Sequence, residues 1–365
     1  MALEHRDAPR LLDRCDEIDA AWLTHVLEIG GHRGAEVVSF ALRAIGAGNV
    51  SDTVRVELGY GAPTEAPASI VCKFRCSNDA AHAHGVGSGS YLRELESYRA
   101  LLSRLDVCRI PQVYWVDGHA ENINLVMTDL SGTARAGNQI AGCGIDDARS
   151  VVSELAKLHR AYYPMSRADA PAWGMTMSAT ADYWTAAIER GVDVIRAHVA
   201  DRLDEWQMEL LSDARRMASA WYNLPMHRGT LTHGDPRVDN ILFAAEGAIL
   251  IDWQITGWRN PMHDVGYFLS GSVSVQDRRV HEHDLLDRYA QVFGDEAGYG
   301  RDLIEADYRV QLLSGLMTTI AAYGLLPLSP EVDALLLVLT RRNTAAAGDW
   351  NSFAAIRDYP VDQTV

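Results

Sequence analysis

Cysteine is scarce and unpaired in this chain. Cys15, Cys72, Cys76, Cys108 and Cys143 are odd in number and scattered, with no CxxC pair and no histidine at ligand spacing beside them. This excludes a disulfide scaffold and a cysteine-built zinc site, and points to reduced thiols in a cytoplasmic setting. Long apolar runs are missing too. None reaches the roughly 18 residues of a membrane span, and the N-terminal stretch MALEHRDAPRLLDRCDE is charged where a leader peptide is apolar. Neither export nor membrane insertion is expected. Positive charge is short, with 33 Lys and Arg against 49 Asp and Glu. The net charge near −16 repels phosphate backbones, so nucleic acid is not an expected partner. An acidic surface suits a cationic substrate, but it is more commonly a route to solubility and selects no substrate by itself.

What is present is an ordinary folded composition, 48% hydrophobic and 22% charged over 365 residues, a length that suits two lobes. Apolar spacing predicts a leading helix over 17–29, closed by Gly30 and Gly31. Short β-type runs follow at 37–42, 54–58, 69–74, 112–116 and 124–127, separated by Gly, Pro and Asp turns. One strongly helical stretch, 91–105, lies between the third and fourth runs. The glycine-rich piece 80–89 before it has the composition of a flexible insertion. From about 146 the pattern is helical, over 146–162, 181–199, 205–222, 284–293, 304–323 and 330–342. A hairpin interrupts it, with strands at 241–243 and 248–253 around a Glu246-Gly247 turn. The expected fold class is therefore α+β. An antiparallel-sheet lobe with one main helix spans 1–130, and a larger helical lobe spans 131–365 and carries a loop and hairpin.

Phosphoryl transfer asks little covalent chemistry of a protein. It needs a carboxylate beside the acceptor hydroxyl, ligands for Mg²⁺ and a cation for the phosphates. The segment His233-Gly-Asp-Pro-Arg-Val-Asp-Asn240 offers Asp235 and Asn240 five residues apart, and the hairpin after it ends in Asp252. Asp and Asn are also ordinary turn formers and caps, so the pair alone proves little. The joint pattern with the hairpin, Asp252 and the following Pro261-x-x-Asp264 is more specific.

The run HGDPRVDNILF, with LIDWQ and NPMHDVGYFL after it, resembles the aminoglycoside phosphotransferase family and its choline-kinase-like and ecdysteroid-kinase-like relatives, a branch of the protein-kinase-like fold. The resemblance implies Asp235 as catalytic base, His233 orienting its loop, Asn240 and Asp252 as Mg²⁺ ligands, and Asp264 supporting the loop from below. It implies ATP or GTP with Mg²⁺ as cofactors and a small-molecule alcohol as acceptor. Upstream, Lys73 in the strand SIVCKF matches the lysine that contacts the α/β-phosphates; its plainer role is a snorkelling edge lysine. The backbone around Met127 to Asp129 matches the adenine-binding hinge. Gly46, Gly48, Asn49 and Ser51 lie where the nucleotide loop of this fold belongs, although the third glycine of a GxGxxG pattern is replaced by Ser51.

The lysine needs a glutamate, and the helix offers Glu94 and Glu96. Tyr91, Glu94, Tyr98, Leu101 and Leu105 recur at steps of three or four, so Glu94 lies on the inward stripe, with Glu96 about 200° round from it. A buried carboxylate is costly without a partner, so the pair predicted is Glu94 with Lys73, leaving Glu96 in solvent. His159 is expected to pack in the core, and His281-Glu-His283 to be exposed charge. No DFG triad or APE motif is present, and the short span between Asp252 and Asp264 leaves no room for an activation loop. A small acceptor is favoured over a protein substrate. A nucleotide-binding regulator without turnover is the alternative. Trp173, Trp184, Trp206, Trp221 and Trp258 fall where an acceptor pocket is expected, but they do not decide between a ringed alcohol and an amino sugar or choline.

Overall fold

The structure is a computed structural model and describes residues 8–45, 50–104, 107–166, 168–226, 228–294 and 298–359. Its contacts divide it into two compact units: residues 1–105, 110–134 and 252–254 in the first, and 106–109, 135–251 and 255–365 in the second. Among the described residues no helix is long and apolar enough to cross a membrane.

The first unit is built on one antiparallel sheet of β1 (Val37–Ala44), β2 (Ser51–Tyr60), β3 (Ser69–Arg75), β4 (Val113–His119) and β5 (Asn122–Thr128), in the order β1-β2-β3-β5-β4. Inner strands are apolar and buried, β5 almost throughout, while β1 at the edge is mostly exposed. Helix α1 (Ala20–Ile29) starts three residues later than apolar spacing predicts, because the side chain of Asp19 caps it by accepting from Trp22 N at 2.7 Å. Its Trp22, Leu23, Val26 and Leu27 share one core with Val54, Val56, Ile70, Phe74 and Val126 of the sheet.

The glycine-rich piece expected to be a flexible insertion is a helix, α2 (Asp79–Gly87), capped by Asn78. Its Gly85 is a packing requirement: a Cβ there would lie 2.8 Å from the Tyr91 ring. Helix α3 (Ser90–Leu102) follows from a left-handed Gly89 and buries Tyr91, Glu94, Leu95, Tyr98 and Leu101.

The second unit carries β6 (Ala134–Ala136), α4 (Ile145–Tyr162), β7 (Met175–Thr176), α5 (Ala181–His198), α6 (Glu205–Tyr222), β8 (Thr230–Thr232), β9 (Ile241–Ala244), β10 (Gly247–Leu250), β11 (Gly257–Arg259), α7 (Met262–Ser272), α8 (Val275–Phe293), α9 (Arg301–Gln311), α10 (Leu313–Leu325), α11 (Pro330–Asp349) and α12 (Ser352–Arg357). Two three-stranded sheets, β10-β9-β6 and β7-β11-β8, frame the segment 233–240. Helix α8 begins well before 284, because Ser274 caps it. The single helix expected over 304–323 is two, parted at Leu312. Helices α5 and α10 touch backbone to backbone, since a Cβ on Gly191 would sit 1.8 Å from Ile320 O. Around them Ile188, Val192, Leu211, Trp221, Leu316 and Ile320 form the main helical core.

Candidate active site

In the second unit, the segment 233–240 leaves β8 and enters β9, and its shape is fixed from beneath by Asp264 in the first turn of α7. The Asp264 carboxylate accepts from His233 N at 2.7 Å and Gly234 N at 2.9 Å, and Oδ2 also meets His159 Nε2 at 3.1 Å. His159 in turn meets the Tyr289 hydroxyl at 2.9 Å. Burial alone pushes the Asp264 carboxyl up, but the hydrogen bond from His159 and the nearby His263 ring, 3.6 Å away, outweigh it and hold the group well below the usual carboxylate range. A buried anion with this many donors is a rigid anchor.

Gly234 takes φ +87°, and a Cβ there would lie 2.3 Å from Ile255 O, so both conformation and space require glycine. His233 Nδ1 accepts from Asp235 N at 3.3 Å, which leaves the ring proton on Nε2 to donate to Ile251 O at 3.0 Å. Asp235 therefore sits on a loop bound at both ends. Asn240 Nδ2 donates to Asp235 O at 2.9 Å and to Oδ2 at 3.1 Å, which turns its own Oδ1 to the other side. Arg237 Nε is 3.6 Å from the same Asp235 oxygen.

Other residues that hold this loop went unread in the sequence. Gln139 Oε1 accepts from Val238 N at 2.8 Å, and Asp239 Oδ1 accepts from Gln139 N at 2.7 Å. Arg259, 5% exposed, donates to Thr232 Oγ1 at 2.9 Å and Ile255 O at 3.0 Å. Tyr267 on α7 has its phenol pushed well above the ordinary value, first by burial and then by the Asp235 carboxylate. Of these, Asp239 and Tyr267 lie inside the quoted motifs, while Gln139 and Arg259 lie outside them and carried no sequence signal.

In the first unit, Lys73 Nζ lies 2.7 Å from Glu94 Oε1 and 3.1 Å from Asp252 Oδ1. Burial pulls the ammonium down, but the Asp252 and Glu94 carboxylates outweigh it and keep the charge in place. Asp252 does not end a strand, as the hairpin pattern suggests: β10 stops at Leu250, and Asp252 takes φ 67° beyond it. A non-glycine residue there stores roughly 1–3 kcal/mol of strain, which the ion pair with Lys73 helps to hold. Glu96 is not solvated on its own but pairs with Arg99 at 2.8 Å.

Ser51 is the first residue of β2 and 3% exposed rather than part of an open loop; Gly46, Gly48 and Asn49 lie outside the described residues. Met127 lies inside β5 between β3 and β4, where backbone groups belong to the ladder. Asp129 follows the strand, and its side chain is engaged by Arg55 at 2.8 Å and Ser69 at 2.7 Å.

Among the tryptophans, Trp221 and Trp258 are core residues at 1% and 7% exposure, while Trp206 is 42% exposed. The hollow beside Trp221, Met177, Asn260 and Tyr359 has room for little more than one water, ≈ 10 Å³.

A model of the ecdysteroid kinase-like family matches residues 46–298. No curated protein matches the sequence. Among solved structures, the chain is similar to choline kinase LicA from Streptococcus pneumoniae, at 14% identity over 85% of this chain and 95% of that one, with a TM-score of 0.50. It is also similar to a GDP complex of an aminoglycoside 2'-phosphotransferase, at 14% identity over 87% and 95% of the two chains, with a TM-score of 0.52. At that identity the likeness shows the fold, an α+β protein-kinase-like one with an antiparallel-sheet lobe and a helical lobe.

Proposed function

The chain belongs to the ecdysteroid kinase-like family and is a small-molecule kinase, and on that premise we propose that it transfers the terminal phosphoryl group of ATP or GTP to a hydroxyl, with Asp235 as the base. One observation carries the reading: a buried lysine held between two carboxylates, Lys73 with Glu94 and Asp252. Taken together these groups bear one net negative charge, and Asp252 is 35% exposed, so the cluster is suited to a further cation. Asp252 and the Asn240 Oδ1 are hard oxygen donors of the kind Mg²⁺ takes, alongside phosphate oxygens.

The bound nucleotide and divalent cation supply the phosphoryl group and neutralise its charge. Lys73 meets the phosphates as a point charge, and Glu94 keeps it from turning away. His233 and Asp264 set the backbone of the loop, so that Asp235 is presented in one orientation. Asn240 holds Asp235 through Oδ2, and the carboxylate so oriented accepts the proton of the acceptor hydroxyl. The experiment is a nucleotide-consumption screen against hydroxyl-bearing metabolites, among them amino sugars, choline analogues, sterols and macrolides. Asp235→Asn is the blank: its turnover is expected to fall about 10²–10⁴-fold with nucleotide affinity nearly kept. Full activity in that variant sinks the assignment, and an unresponsive wild type across a broad panel favours a regulator without turnover.

A further inference from the structure

Residues 251–253 stand where the resemblance puts the DFG triad of a protein kinase, and Gln254, which follows them, has no role so far. Gln254 Nε2 lies 2.9 Å from Ser51 Oγ and 3.2 Å from Glu94 Oε2. The other oxygen of the same glutamate, Oε1, is the one 2.7 Å from Lys73 Nζ. The backbone beneath Gln254 is fixed as well: Arg93 Nη1 donates to its carbonyl at 2.6 Å, and Ser97 Oγ donates to the Trp253 carbonyl at 3.5 Å. Ser51 is 3% exposed and Glu94 is fully buried.

Donor and acceptor chemistry gives this network a direction. An ionised carboxylate only accepts, so the amide atom facing Glu94 is the nitrogen, because the inverted amide sets oxygen against oxygen. That nitrogen carries two protons, and the second goes to Ser51 Oγ. A hydroxyl has one proton and two lone pairs. Once Ser51 has accepted from Gln254, its own proton remains to donate, and the direction of that proton is confined by the bond it has accepted. A glutamine that merely satisfied a buried serine would need no glutamate on its other side. Here the glutamate that sets the amide is the one that sets Lys73.

We propose that Gln254 is a positioning residue that takes its orientation from Glu94 and aims the Ser51 hydroxyl proton at a phosphate oxygen of the bound nucleoside triphosphate. The lysine and the serine are thereby set by the two oxygens of one glutamate. The inference rests on the nucleotide-binding reading above and assigns a role to a residue which that reading leaves out.

The test measures affinities for ATP, GTP and the matching nucleosides, with Mg²⁺ present, on the wild type, Gln254→Leu, Ser51→Ala and the double variant, with a thermal melt of each. Each single variant is expected to weaken the preferred triphosphate by about tenfold, the loss of one hydrogen bond to a charged group. Nucleoside affinity is expected to hold, and the double variant to be no weaker than either single one. Gln254→Met, which keeps the length and carries no donor, is expected to behave as Gln254→Leu does and replaces it if the leucine variant melts early. The proposal is overturned if the Gln254 variants bind triphosphate within twofold of wild type. It is also overturned if the two losses multiply in the double variant, or if nucleoside and triphosphate weaken together. A wild type that binds no nucleotide overturns the nucleotide reading itself, a result distinct from a wild type that binds and variants that do not differ from it.

Discussion

Lys73 and Lys157 are the two lysines of the chain, and every other cation among its 33 Lys and Arg residues is arginine. A site that keeps lysine against this background needs a compact ammonium. Two carboxylates lie at 2.7 and 3.1 Å from one nitrogen, and the residue is 8% exposed. The planar fork of arginine is longer and cannot place one nitrogen against both oxygens without moving Glu94. Lys73→Arg is accordingly expected to cost about 10²-fold in kcat/KM with the fold intact, as read from turnover and circular dichroism. Lys73→Met leaves Glu94 buried without its cation, and urea unfolding is expected to register a loss of about 3 kcal/mol. A methionine variant as stable as wild type would show that Glu94 does not depend on Lys73.

Elements differ in how far their sequences announce them. The five strands of the first unit were legible because apolar runs between turn residues have few other meanings, and α3 was legible enough for its stripe to separate Glu94 from Glu96. Helix α2 was hidden because Gly85, Gly87 and Gly89 carry the composition of a loop, whereas Gly85 is present to admit the Tyr91 ring. Helix α7 was hidden for the opposite reason: it is buried on nearly every side, so no polar face gives it a period. In the site, motif residues were legible by spacing. Gln254 was not, since its partners Ser51 and Glu94 are 203 and 160 residues away. Packing can also reverse a local preference. Gly191→Ala improves helix propensity in α5 by about 1 kcal/mol, yet its methyl would meet Ile320 O at 1.8 Å. The net effect expected in urea unfolding is a destabilisation of about 2 kcal/mol. A stabilised variant would mean that α5 and α10 do not approach as closely as described.

For the molecule as a whole, acid sensitivity follows from two buried groups with separate windows. His263 on α7 faces Asp264, Arg259 and His159, and its ring lies 6.3 Å from that of Trp221. Burial lowers its pKa from the ordinary 6.5, only partly opposed by Asp264. Above that value the folded and unfolded states both carry a neutral ring, and stability is flat in this group. Below it the unfolded chain takes up a proton that the folded chain resists, so stability falls as pH falls, by up to about 1.4 kcal/mol per pH unit. Asp264 acts lower. Its folded pKa is depressed, so its contribution is complete above the unfolded carboxyl range near 3.9 and is lost as pH falls through the folded value. Urea unfolding at pH 7.5, 6.5 and 5.5 is therefore expected to give a descending series below 6.5 in wild type. His263→Gln should flatten that part of the series while leaving the collapse below pH 4 in place. If the glutamine variant keeps the wild-type slope between 6.5 and 5.5, the acid sensitivity belongs to another group and His263 is not held neutral by its burial.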